Sequence, residues 1–125
     1  MNILVVDDSM MSRKMLIDKL LSLEVAEPET IVQGKNGQEG VELYKEHRPD
    51  IVFLDLTMPI MDGYEALDLI IKFDPSAFVV VVSADEQPKA IQKVMELGAK
   101  RHVSKATPAE ELLGIVKELI AKRSF

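Results

Sequence analysis

Short runs of apolar residues alternate with amphipathic stretches along the whole chain. Three runs, over residues 3–6, 51–54 and 78–82, are continuous and largely β-branched. Runs of this kind are typical of parallel strands that are covered on both faces. Weaker patterns predict two further strands, at residues 30–33 and near residues 101–104.

Helical spacing fills the intervals between these runs, because apolar residues recur there every three or four positions. The positions with this spacing are Met11, Met15, Leu16 and Leu20; Val41 and Tyr44; Leu67, Ile70 and Ile71; Ile91, Val94 and Met95; and Leu112, Val116, Leu119 and Ile120. The pattern is a strand followed by a helix, five times over, which predicts an α/β protein with a five-stranded parallel sheet. We expect a single doubly wound (βα)5 domain over residues 1–125, in the flavodoxin-like strand order 2-1-3-4-5, which is adopted by analogy.

Composition and charge narrow the classes of function. The chain has 125 residues, a net charge of −6 and no cysteine. Without a basic stretch to neutralise phosphates, direct nucleic-acid binding is not expected. The lack of cysteine excludes disulfides and thiolate metal sites. No apolar run approaches the roughly 20 residues of a membrane span, and the first residues do not form a signal peptide, so we expect a cytoplasmic protein with no membrane partner.

Candidate chemistry lies in the residues that directly follow the apolar runs. Ligands of doubly wound sheets bind beyond the carboxyl ends of the strands. Asp7 and Asp8 follow the first strand, Asp55 the third, Ser83 the fourth and Lys105 the fifth. Three crowded carboxylates need a cation, and their oxygens suit Mg²⁺. A carboxylate can also attack phosphorus to give an aspartyl phosphate, while Mg²⁺ and a lysine neutralise the transferred charge.

These residues and their neighbours resemble the receiver domain of two-component response regulators, in its stand-alone, CheY-like form. The resemblance covers essentially the whole chain. The residues that carry it are Val5-Val6-Asp7-Asp8-Ser9, Asn36-Gly37, Pro49-Asp50-Ile51-Val52-Phe53-Leu54-Asp55-Leu56, Met58-Pro59, Met61-Asp62-Gly63, Ser83-Ala84 and Lys105.

The resemblance implies a site that accepts a phosphoryl group. Asp55 would take it from a sensor histidine kinase or a histidine phosphotransfer protein. Mg²⁺, with Mn²⁺ as a plausible substitute, would bind Asp8, Asp55 and the backbone carbonyl of Thr57, while Asp7 would hold metal-bound water. Lys105 would be the phosphate-binding cation.

The resemblance also implies a phospho-switch, and no enzyme with an external substrate, although phosphorylation and dephosphorylation of Asp55 could be self-catalysed. Ser83 would be the switch hydroxyl, and His102 stands at the position of the family's second switch residue. The output would be the binding of a downstream protein at the face formed by the fourth helix, the fifth strand and the fifth helix.

Two positions depart from the family pattern. Ala106 follows Lys105, where the family usually has a proline after a cis peptide bond. A cis bond before a residue other than proline costs about 2.5–4 kcal/mol, so we expect a trans bond here. His102 replaces the usual tyrosine or phenylalanine, which reduces apolar contact area and introduces a group that can titrate near neutral pH.

Two other functions remain as alternatives. The first is an unphosphorylated, receiver-like interaction module, which failure to bind Mg²⁺ would favour. The second is a phosphohydrolase of the haloacid dehalogenase type, which also uses an aspartate nucleophile and Mg²⁺. That class needs a second aspartate two residues after the nucleophile, where this chain has Thr57.

Overall fold

The fold of the computed structural model is described for residues 1–123, so the last two residues of the predicted 1–125 domain lie outside the described part. The strands are β1 Ile3–Val6, β2 Ile31–Gly34, β3 Ile51–Leu54, β4 Val79–Ser83 and β5 Arg101–Ser104. The helices are α1 Met10–Ser22, α2 Gly37–His47, α3 Gly63–Phe73, α4 Pro88–Leu97 and α5 Ala109–Arg123, with a 3₁₀ turn at Pro28–Thr30. Each strand lies within one residue of its predicted position.

All five strands form one parallel sheet in the order β2-β1-β3-β4-β5, which confirms the predicted α/β architecture. The order reverses at β1, so β1 lies beside both β2 and β3. In the pair with β3, Val6 is opposite Leu54, and the Asp55 amide donates to the Val6 carbonyl at 2.9 Å. The first residues beyond these two strands, Asp7 and Asp55, are therefore neighbours at the carboxyl edge of the sheet.

Both faces of the sheet are covered, which explains the continuous apolar runs of β1 and β3. Alternate residues of these strands belong to two separate core clusters, one with Leu4 and Leu54 and the other with Val5 and Phe53. Each fully buried side chain of this size contributes about 1.5–3 kcal/mol relative to an exposed one. The central strands are consequently a rigid support for the side chains at their ends.

Four of the apolar positions with helical spacing, Met11, Met15, Met95 and Ile120, are exposed and do not pack in the core. In α1 the buried positions are Arg13 and Leu20, with Leu16 partly buried beside them. Met15 lies about 100° around the helix from Leu16 and faces water. Within the described residues, no helix is both long enough and apolar enough to cross a membrane.

Candidate functional site

Three carboxylates meet at the carboxyl edge of the sheet. Asp7 and Asp8 follow β1 and Asp55 follows β3, and one oxygen from each lies within 4.8 Å of the others. Asp7 and Asp55 are only 7% and 6% exposed, while Asp8 faces solvent. The Asp7 amide donates to the Gly34 carbonyl at 3.1 Å, so the strand ladder fixes the backbone from which these side chains project.

Lys105 reaches the same cluster from the loop after β5. Its Nζ lies 2.9 Å from Asp7 Oδ2 and 3.4 Å from Asp55 Oδ2. The peptide bond between Lys105 and Ala106 is trans, which confirms the expectation for this loop. The Ala106 amide donates to Ser104 Oγ at 3.0 Å and so helps to hold the loop without proline.

The charges of the cluster are only partly balanced. Burial raises the pKa of Asp55, and the charge of Asp7 raises it further, against the opposing effects of Lys105 and the Leu56 amide. Burial lowers the pKa of Lys105, but its hydrogen bond to Asp7 and the charges of both carboxylates outweigh this, so its pKa is raised overall. One lysine therefore does not fully stabilise the ionised form of Asp55.

The donor set fits a hard divalent cation. Three carboxylate oxygens within 4.8 Å of one another provide the charge and ligand type that Mg²⁺ prefers. One open pocket beside the cluster is lined by Asp8, Asp55, Thr57, Ser83 and Lys105, so the structure brings Thr57 and Ser83 to the same place as two of the carboxylates. A cation here would also oppose the burial and the repulsion from Asp7 that together raise the pKa of Asp55.

Ser83 and His102 both form a hydrogen bond with the backbone of the same residue, Asp85. Ser83 is buried at the end of β4, and its Oγ accepts a hydrogen bond from the Asp85 amide at 3.0 Å. The His102 ring is partly exposed, and its Nε2 lies 3.1 Å from the Asp85 carbonyl oxygen. The structure thus places His102 against the β4–α4 loop, outside the residues that line the acidic pocket.

The loop between β3 and α3, which contributes Thr57 to the pocket, is held by close backbone contacts. The Gly63 amide donates to the Leu56 carbonyl at 2.9 Å, and a Cβ at Gly63 would overlap the Asp55 carbonyl oxygen. The Gly37 amide donates to the Met61 carbonyl at 2.9 Å, again with no space for a Cβ. Between these anchors Ile60 has φ +69° and is 78% exposed, a strained conformation for a β-branched residue.

Arg13 is a site residue that the sequence analysis missed. Its side chain is buried, and Nη1 donates to the Asp7 carbonyl oxygen at 2.6 Å while Nε donates to Gln33 Oε1 at 2.9 Å. Arg13 precedes Leu16 by three residues and Leu20 by seven, which is the spacing of one helix face. That spacing was the available signal that a charged residue points inward beside Asp7.

Comparison with known proteins agrees with this geometry. The family model described as response regulator receiver domain matches residues 3–117. The chemotaxis protein CheY of Listeria monocytogenes is 39% identical over 113 residues, covering 90% of this chain and 92% of that protein. CheY of Bacillus subtilis is 36% identical over 118 residues, covering 94% of this chain and 96% of that protein.

The fold of the chain is also similar to that of a solved CheY structure. The chain matches the crystal structure of the CheX-CheY-BeF₃-Mg complex from Borrelia burgdorferi with a TM-score of 0.86 and 33% identity, covering 95% of this chain and 88% of that one. Receiver domains are the phosphoaccepting switches of two-component signalling. The chain belongs to the response regulator receiver domain family.

Proposed function

We propose that Asp55 is the phosphoacceptor of this receiver domain and that Mg²⁺, or Mn²⁺ in its place, supports the transfer. The observation that carries the proposal is the convergence of Asp7, Asp8 and Asp55 within 4.8 Å, with Lys105 against two of them. Asp55 is the central member because it lies in the middle of the sheet edge and is nearly buried. Asp7, Asp8, Asp55 and the Thr57 carbonyl are the proposed metal-binding groups.

The two oxygens of Asp55 have different surroundings, and this difference selects the nucleophile. Oδ1 accepts a hydrogen bond from the Leu56 amide at 2.8 Å, whereas Oδ2 lies on the side of Lys105. In the proposed step an Oδ2 lone pair forms the bond to phosphorus, and the bond from phosphorus to the donor's leaving atom breaks, its electrons remaining on the donor. A bound divalent cation supplies positive charge for the phosphoryl oxygens.

Lys105 and Ser83 then recognise the transferred group. Lys105 lies close enough to Asp55 Oδ2 for its ammonium to pair with a phosphoryl oxygen there once it leaves Asp7. Ser83 Oγ accepts from the Asp85 amide, so its own hydroxyl proton is available to donate to a phosphoryl oxygen. Each new hydrogen bond would involve a charged acceptor and would be strong.

The switch would pass from Ser83 to the outer face through the Asp85 backbone. Movement of Ser83 toward the phosphoryl group strains its bond to the Asp85 amide, and the Asp85 carbonyl is in turn bonded to His102 on β5. The phosphoryl group brings roughly 1.5–2 negative charges to the start of this chain of contacts, in place of the single charge of the Asp55 carboxylate. The proposed output surface is formed by α4, β5 and α5.

The proposed partners follow from the family. A sensor histidine kinase or a histidine phosphotransfer protein would supply the phosphoryl group, in the cytoplasm, and a downstream protein would bind the output surface. The Borrelia burgdorferi neighbour, which is in complex with CheX, BeF₃ and Mg, is an instance of a similar protein bound to another protein.

The test is intact-mass measurement after incubation with acetyl phosphate and Mg²⁺. Wild-type protein should gain the mass of one phosphoryl group, and the gain should disappear when EDTA removes the cation. Asp55→Asn preserves the shape of the side chain but removes the nucleophilic oxygen, so it should gain nothing. Labelling of Asp55→Asn would refute the assignment, and a wild type that neither binds Mg²⁺ nor gains mass would favour the unphosphorylated interaction module.

A further inference from the structure

Arg13 is a buried cation whose two hydrogen bonds go to uncharged groups. The side chain is only 7% exposed, and it donates to the Asp7 carbonyl oxygen and to the Gln33 amide oxygen. Within the described residues it forms no ion pair with any carboxylate. Burial of a charge without an ionic partner is costly, so the reason for a guanidinium here should lie in what it holds in place.

What Arg13 holds is the peptide unit between two of the clustered carboxylates. The Asp7 carbonyl belongs to the peptide plane that joins Asp7 to Asp8, and the 2.6 Å bond from Nη1 fixes the direction of that plane. The Nε bond to Gln33 ties the guanidinium to the neighbouring strand β2 and leaves it little freedom to rotate. The fork-shaped guanidinium makes both bonds at once, which a lysine ammonium could not do from the same position.

Asp8 depends most on this restraint. The Asp7 side chain has fixed partners of its own, because Oδ1 accepts from the Ser9 amide at 2.9 Å and Oδ2 pairs with Lys105. The Asp8 side chain is exposed and has no hydrogen bond or ion pair among residues 1–122. No side-chain contact in that part of the chain restrains it, so the backbone, through the peptide that Arg13 holds, is what sets the direction in which its Cα–Cβ bond leaves the chain.

We propose that Arg13, restrained by Gln33, is a positioning residue for the divalent cation site, acting through the Asp7–Asp8 peptide to aim Asp8 at the ion. The inference rests on the proposed function, since it requires that Asp7, Asp8 and Asp55 bind a cation. Residues that orient metal ligands typically change metal affinity by about 10–100-fold when they are replaced.

Whether Arg13→Met weakens or tightens Mg²⁺ binding distinguishes a positioning role from a purely electrostatic one. Arg13→Met removes one positive charge near a site for a divalent cation, so Coulomb's law alone predicts tighter Mg²⁺ binding. Loss of the peptide restraint predicts the opposite, weaker binding by about tenfold or more. Lys14→Met is the matched control, because it removes the same charge from the next residue, where the ammonium is exposed and pairs only with Asp18 in the described part of the chain.

The experiment is calorimetric titration of Mg²⁺ into wild type, Arg13→Met, Arg13→Lys, Gln33→Ala and Lys14→Met, with urea unfolding of each. Arg13→Met should bind about tenfold more weakly or worse, Arg13→Lys and Gln33→Ala should be weakened to a smaller extent, and Lys14→Met should match wild type. Acetyl phosphate labelling of Arg13→Met should recover toward the wild-type rate at saturating Mg²⁺, because only the binding step is impaired.

Folded Arg13→Met with Mg²⁺ affinity equal to or higher than that of wild type would overturn the inference. If that variant does not fold, Gln33→Ala decides, since Gln33 is exposed and its loss leaves the core intact; unchanged affinity there would also overturn it. Failure of the wild type to bind Mg²⁺ would overturn the proposed function together with the inference, so the two failures are distinguishable.

Discussion

Replacement of Lys105 by methionine should have opposite effects on stability and on Mg²⁺ binding. Among the described residues, Lys105 is the one side-chain cation that pairs with the clustered carboxylates. Its Nζ contacts Asp7 at 2.9 Å and Asp55 at 3.4 Å. Methionine keeps most of the apolar stem but leaves the carboxylates without this counter-charge.

The magnitude follows from the burial of the partners. Breaking a buried ion pair costs about 3–5 kcal/mol, and breaking an exposed one costs about 0–1 kcal/mol. The carboxylates are nearly buried, but about a third of the Lys105 side chain is exposed, 32% against 10% for Asp7. We therefore expect Lys105→Met to lower the free energy of unfolding by about 2 kcal/mol without divalent ions.

Mg²⁺ should offset part of this loss of stability. Lys105 competes for the carboxylate oxygens and repels an incoming cation, so its removal should tighten Mg²⁺ binding by about tenfold, equivalent to about 1.4 kcal/mol. Because the pKa of Lys105 is raised, its stabilising contribution should be present at neutral pH and be lost only as the pH rises beyond about 10.5. Phosphorylation by acetyl phosphate should become slower, because the ammonium no longer neutralises the transferred group.

The assay is urea unfolding in EDTA and in saturating Mg²⁺, with calorimetric Mg²⁺ titration. Lys72→Met is the control, because Lys72 is 71% exposed and forms only an i,i+4 pair with Asp68 among the described contacts; its effect should stay below about 0.5 kcal/mol. If Lys105→Met is as stable as wild type in EDTA, or binds Mg²⁺ more weakly, the assigned role of Lys105 in the charge balance is wrong.

Four further predictions follow, three on the acidic cluster and the β3–α3 loop and one on α5. Because the pKa of Asp55 is raised in the folded state, ionisation of Asp55 destabilises the fold above that pKa. Asp55→Asn should therefore unfold at a higher urea concentration than wild type at pH 7 in EDTA. This gain in stability should shrink as the pH falls toward about 3.8. Ile60→Asn should raise the free energy of unfolding by about 1 kcal/mol by relieving the positive φ, and an unchanged urea midpoint would contradict this. Gly63→Ala should lower it by about 1–3 kcal/mol and slow labelling, since the new Cβ meets the Asp55 carbonyl. By contrast, a Cβ at position 114 would meet open space. Gly114→Ala should therefore stabilise α5 by about 0.5–1 kcal/mol, measured by urea unfolding.

The sequence predicted those parts of the molecule that depend on local pattern. The apolar runs located β1, β3 and β4, since a strand buried on both faces needs apolar residues at every position. The placement of Asp7, Asp8 and Asp55 followed, because the carboxyl ends of parallel strands meet at one edge. The trans bond before Ala106 was predictable from the energy of a single peptide unit.

Other features depend on partners that are distant in sequence, and local pattern does not encode them. Lys105 and Asp7 are 98 residues apart, and nothing in either segment indicates that the lysine lies closer to Asp7 than to Asp55. The helical spacing places Arg13 on the inner face of α1, but the partners of its guanidinium, the Asp7 carbonyl and Gln33, belong to other segments. The exposure of Met11 and Met15 depends on how α1 is rotated against the sheet.

The most direct test of the central claim is to locate the phosphoryl group chemically. Borohydride reduces an aspartyl phosphate to homoserine, which peptide mass mapping identifies by position. After treatment with acetyl phosphate and Mg²⁺, the account predicts homoserine at position 55 and none in samples that contained EDTA. Homoserine at position 7 or 8, or at no position in protein that binds Mg²⁺, would contradict the assignment of Asp55 as the nucleophile.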